Sequence, residues 1–168
     1  MKSTAFIKRY QKIMRKEMKR QGFVFGSDKD AIAILRSAFF HVAFVLRDEL
    51  ASVPIVILAV YDTEDQTATE AQIADAICYY TSSTDGKQKL FGIGISSKAI
   101  CMGLDYCYFV IMHELAHSLV SMNTELEGVY MPHDPVFETT LNRLLDRFNK
   151  ATGRHIKNDY SGYGEKKR

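Results

Sequence analysis

His113-Glu114-Leu115-Ala116-His117 places two imidazoles and a carboxylate where one divalent ion can use them. Residues four apart share a face of a helix, so His113 and His117 aim at one point. Glu114, one step round the turn, reaches a water at that point and can take its proton. A catalytic zinc site needs such ligands, with one coordination position left for water or substrate. With 5 histidines in 168 residues, a His-Glu-x-x-His string arises by chance about 0.008 times per chain of this composition. Accident is a poor account of it.

Two histidines need a third protein ligand, and the downstream sequence offers two candidates. The metzincin spacing would put a histidine at position 123, which is Asn123, so that arrangement is excluded. His133 stands just before Asp134-Pro135, which reads as an N-cap followed by proline in the first helical turn. A helix carrying Val136, Phe137, Leu141, Leu144, Leu145 and Phe148 at helical spacing follows, so His133 is held ahead of a well-defined start. Glu138 is the alternative, on that same helix with Asn142 four residues on, roughly where thermolysin-like enzymes carry a third-ligand glutamate. Both ligand sets suit catalytic zinc, and His133 is favoured.

These residues need rigid elements to hold them. From Leu104 to Met122 the chain reads as one helix, apolar on most sides, and such helices are buried. Two imidazoles and a carboxylate inside it are costly to desolvate, a cost that a bound cation offsets. Upstream, Phe6, Tyr10, Ile13, Met14 and Met18 define an amphipathic helix. Ser27 with Asp30 resembles a capping box opening a second helix through about Leu50, with His41 within it as a packing or surface residue. Pro54 to Tyr61 reads as a buried strand. Ala74 to Ser82 and Lys89 to Ser96 read as a hairpin turning at Asp85-Gly86, with Gly92 and Gly94 thinning its second strand. The expectation is one α+β domain over residues 1–168, with a small mixed or antiparallel sheet packed against the motif-bearing helix and flanking helices.

His113-Glu114-Leu115-Ala116-His117, followed by Pro132-His133-Asp134-Pro135-Val136-Phe137 at the start of a last helix, resembles the SprT-like and WLM-type zinc metallopeptidases. Those families pair a motif-bearing helix with a later histidine and an aromatic residue four positions on, here His133 and Phe137. The resemblance covers about the last hundred residues. It implies a minimal zincin-like fold in which His113, His117 and His133 bind one zinc and Glu114 is the general base. It also implies that the Ala74–Ser96 hairpin offers an edge strand to an extended peptide substrate. Two features depart from the pattern: the segment from Ser118 to Pro132 is longer than usual for the WLM type, and the cysteine-rich ribbon common in SprT proteins is missing. The expected activity is peptide-bond hydrolysis, with Tyr130 the nearest candidate oxyanion donor in sequence and Tyr79 and Tyr80 the alternatives.

Composition admits a second class of function. Residues 1–22 carry a balance of +7 and residues 152–168 one of +3, whereas the body between them stands at −8. The first stretch reads as a basic N-terminal helix and the last as a flexible basic tail. Such ends can meet nucleic acid, which would make the zinc site structural or vestigial. Alternatively, Lys8, Arg9, Lys12, Arg15, Lys16 and Arg20 form only a solvated face. A metal-dependent hydrolase of non-peptide amides is a third reading. No run is long enough to span a bilayer, so no membrane partner is expected. Cys78, Cys101 and Cys107 without a CxxC spacing point to reduced thiols and a cytoplasmic protein.

Overall fold

In the computed structural model, the described residues are 4–20, 24–25, 29–51, 55–62, 76–82, 89–122 and 133–159. The first helix, α1 (Thr4–Arg20), buries Tyr10 and Met14 and contacts the strands, while Lys8, Arg9, Lys12, Arg15 and Lys16 are exposed. A two-residue strand, β1 (Val24–Phe25), precedes α2 (Lys29–Val45). The single helix expected through Leu50 is broken at Leu46, whose φ of −100° and ψ of 20° separate α2 from the short α3 (Arg47–Leu50). Hydrogen bonds flank the break, Leu46 N–H donating to Val42 at 2.9 Å and Leu50 N–H to Leu46 at 3.2 Å. Ser27 and the Asp85-Gly86 turn lie outside the described residues.

Strands β2 (Ile55–Asp62), β3 (Ala76–Ser82) and β4 (Lys89–Ser96) join β1 in the order β1-β2-β4-β3. Strand β4 runs parallel to β2 and antiparallel to β3, with Tyr79 opposite Gly92 and Ile77 opposite Gly94. The β3–β4 pairing is the expected one. The parallel β2–β4 pairing needs a crossover and has no local sequence signal. Among the described strands, β3 is at one edge. Phe91 to Ser96 are all buried, so β4 lies in the core.

The remaining elements are helical. Ser96 closes β4 and caps α4 (Ser97–Cys101), its hydroxyl accepting from Ala99 N–H at 3.0 Å. Gly103, at φ 111°, makes the turn into α5 (Leu104–Met122), a conformation that a side chain resists. Helix α5 has the bounds its apolar run implied, and Tyr106 to Ala116 are buried without a break. It packs on β3, β4, α2 and the last helix, α6 (Pro135–Thr152). Asp134 caps α6, accepting from Phe137 N–H at 2.9 Å, and Gly153, at φ 72°, ends it.

Residues 153–159, read from sequence as part of a flexible tail, instead return along α6. Asn149 exchanges two hydrogen bonds with the backbone of Ile156, at 2.8 and 2.9 Å, and Ile156 is buried. Arg154 pairs with Asp105 and lies over the Tyr108 ring, tying the segment to α5. The described chain is therefore mostly helical with a strand component, compatible with an α+β class.

Candidate metal centre

Two elements bring three histidines together. Helix α5 presents His113 and His117 one turn apart, and the residue before the α6 cap presents His133. One nitrogen from each ring lies within 4.8 Å of the other two. Nε2 of His117 and Nε2 of His133 are 3.2 Å apart. Nitrogens bound at zinc–nitrogen distance on a tetrahedral ion sit about 3.3 Å apart, so this spacing suits one cation shared between the rings.

Phe137 holds the three rings in register. Its ring centroid is 4.3 Å from that of His117 and 4.6 Å from that of His133, both stacked, and 5.0 Å from that of His113, edge-on. Phe137 is itself buried, and its backbone N–H is the one bound by the Asp134 cap. The capping bond that starts α6 thus fixes the platform beneath the imidazoles. Sequence marked Phe137 as part of the apolar face of the last helix and as the aromatic partner of His133; its contact with all three rings emerges from the fold.

Electrostatics suit a cation. Burial, reinforced by the neighbouring His117 and His133, pushes His113 down to about 3. Burial and His133 push His117 down to about 4. Both rings are therefore held in the neutral form that metal binding requires. Glu114 is buried between them in sequence, and burial raises its carboxyl to about 8. A cation nearby would oppose that rise. Ser118, also buried, donates its hydroxyl to the Glu114 carbonyl at 3.0 Å, a bond within the helix.

Glu138 goes elsewhere. Its carboxylate accepts from Asn158 Nδ2 at 2.6 Å, and the same amide reaches Asn142 at 3.2 Å. The returning C-terminal segment thereby engages the carboxylate that rivalled His133, and the group among the described residues that could hold a metal ion is His113, His117 and His133. Ile156 in an otherwise polar stretch was the one sequence signal for that return. Tyr130 lies outside the described residues, and Tyr79 and Tyr80 fall on β3. His41 is apart from the cluster, with Nδ1 2.8 Å from the Tyr108 hydroxyl and its ring edge-on to Phe148.

Cys107 is buried, and burial lifts its thiol to about 11, which makes it a packing residue rather than a nucleophile. No helix among the described residues is long and apolar enough to cross a membrane. Compared with protein-family models, curated proteins and solved structures, the chain matches none.

Proposed function

We propose that this chain is a zinc-dependent peptidase with Glu114 as its general base. The observation that carries the reading is the convergence of His113 and His117 from α5 with His133 from just before the α6 cap, with Glu114 on the turn between the first two. Three imidazole nitrogens favour zinc over harder ions such as magnesium or calcium. When bound there, zinc would supply Lewis-acid charge and acidify a water at that point. The residues do the rest. His113, His117 and His133 hold the ion, and Phe137 keeps their rings oriented. Glu114 accepts the water's proton on its carboxylate and passes it to the leaving nitrogen of the amide. A cation held by the histidines would oppose the rise that burial gives its carboxyl, keeping the carboxylate form that can take the proton.

The resemblance to SprT-like and WLM-type peptidases supports peptide over other amides, and so does β3. That strand is at the edge of the described strands and contacts α5, a position from which it can pair with an extended peptide. The test begins with elemental analysis of protein purified without added metal or chelator, where about one zinc per chain is expected. Hydrolysis of unstructured peptides should then stop on chelation and in Glu114→Gln at unchanged zinc content. Equal activity in Glu114→Gln would sink the proposal. Turnover of small amides but not peptides would shift it to a non-peptide amidohydrolase.

The exposed basic face of α1 favours a second reading, a nucleic-acid-binding module with a structural metal. Because Tyr10 and Met14 bury the other face of that helix, charge reversal at Lys12 and Lys16 is a cleaner test than deleting the helix. Salt-sensitive binding that survives Glu114→Gln but is lost on reversal would support it.

A further inference from the structure

An outward-facing apolar stripe on α2 is explained by neither the metal centre nor the core. Phe40 is 64 % exposed, Phe44 67 % and Ile34 43 %, although the opposite face buries Ala31, Leu35, Ala38, Phe39 and Val42. Large apolar groups clustered in water on one face mark an association surface. Asp30, Ala33, Ser37, Phe40, Phe44 and Arg47 are all exposed and alternate in steps of three and four, the spacing of a heptad seam. Arg47, the first residue of α3, extends that stripe past the break at Leu46: its guanidinium lies 4.7 Å from the Phe44 ring centroid and donates to the Phe44 carbonyl at 2.8 Å.

We propose that α2, with the start of α3, is the interface of an antiparallel homodimer, each copy laying this seam along the same seam of the other. In an antiparallel helix pair, each layer of the seam combines a position from one heptad site with the other site of its partner. Centring the pair between Ala38 and Phe39 gives three kinds of layer. Ser37 meets Phe40 of the second copy, Ala33 meets Phe44, and Asp30 meets Arg47. Every ring is thus set over a small side chain, and the outermost layers pair opposite charges. The flanking rows set Ile34 against His41 and Arg36 against Ala43, with no like charges facing.

The parallel alternative fails on charge. In register it would stack Asp30 on Asp30, Arg47 on Arg47 and Phe40 on Phe40. Charge at the ends of a seam selects orientation and register more than it adds affinity. The contact is also isologous, one patch meeting its own copy about a two-fold axis, so it closes at two chains. Phenylalanine and arginine are the side chains expected at the centre and ends of such a patch.

Sedimentation velocity of the full chain from about 1 to 300 μM tests this, since a short seam should dissociate within that range. The expected result is a shift from one chain to two with rising concentration. Phe44→Asp should hold the protein at one chain throughout. Asp30→Arg and Arg47→Asp should each weaken association about tenfold or more, and the double variant should return to within a few-fold of wild type. All these positions are exposed, so an unchanged far-ultraviolet circular dichroism spectrum verifies the fold of each variant. A wild-type protein that stays at one chain overturns the proposal. Assembly beyond two chains, indifference to the single reversals, or a double reversal that fails to restore the dimer would also overturn it.

Discussion

Helices α2 and α5 are both long and largely apolar, yet each breaks the inside-outside rule in the opposite sense. Helix α5 is enclosed by strands and helices and keeps His113 and Glu114 in its buried stretch. Helix α2 buries one face and leaves Phe40 and Phe44 in solvent on the other. Desolvated polar groups are retained where something must be bound or transformed. Solvated aromatic rings are retained where something must be covered. The departures from ideal patterning point to two separate tasks, chemistry on α5 and association on α2.

The largest expected effect falls on the chemistry. Glu114→Gln keeps shape and removes the base, so peptide hydrolysis should fall about 10²–10⁴-fold while zinc content is unchanged. His113→Ala should remove both activity and zinc. Paired assays of hydrolysis and metal content check this, and retention of one zinc per chain by His113→Ala would break the assignment of that ligand. Neither change should alter dimerisation, because α2 takes no part in the centre.

Next comes a contrast between two phenylalanines. Phe137→Ala removes a buried ring touching all three histidines and should cost about 3–5 kcal/mol of stability in chelator. Phe137→Leu keeps most of the volume but loses the stacking, so it should weaken zinc binding more than it weakens the metal-free fold. Phe44→Ala on α2 should change the stability of a single chain by no more than about 0.5 kcal/mol. Denaturant unfolding at low protein concentration and zinc competition read the three variants. If Phe44→Ala proves as damaging as Phe137→Ala, the two helices do not differ as described.

Much of this contrast is legible in the sequence, and the remainder has physical reasons for being hidden. The bounds of α5 follow from its unbroken apolar run, and the start of α6 from Asp134-Pro135, because caps and periodicity are local signals. His113, His117 and His133 are readable for the same reason. The parallel β2–β4 pairing is long-range and leaves no local trace. The break at Leu46 is missed because apolar periodicity continues through it. Residues 153–159 read as tail since their anchor is one isoleucine and one asparagine, too little for a periodic pattern. On α2 the spacing of Leu35, Phe39 and Val42 selects Phe39 rather than Phe40 for the buried face, as the fold has it, but periodicity alone does not say what the exposed rings are for.

A moderate effect is expected where α6 begins. Asp134→Ala removes the cap accepted from Phe137 N–H and should cost about 1 kcal/mol. Since that bond seats the platform under the histidines, the same variant should loosen zinc binding. Asp134→Asn, which can still accept the bond, should restore both in equilibrium unfolding and zinc competition. Loss of stability without any change in zinc affinity would separate the cap from the centre.

The smallest effect compares two glutamates displaced in opposite directions. Burial raises Glu114. The Arg147 hydrogen bond, joined by that of Arg143 and partly countered by desolvation, holds Glu49 below the usual carboxylate range. Glu49 ties the end of the α2–α3 segment to α6, at 2.8 Å from Arg147 and 3.2 Å from Arg143. Its folded-state affinity for protons is below that of the unfolded chain. The stabilisation is therefore present above the unfolded value of about 4.5 and lost as pH falls through the lower folded value. Both arginines are nearly half exposed, so solvent screening limits the ion pairs to under about 1 kcal/mol. Glu49→Gln should lower stability by that amount at pH 7 and by less near pH 3. Unfolding of both proteins in urea at the two pH values measures the difference. An equal loss at both would mean that Glu49 contributes through packing rather than charge.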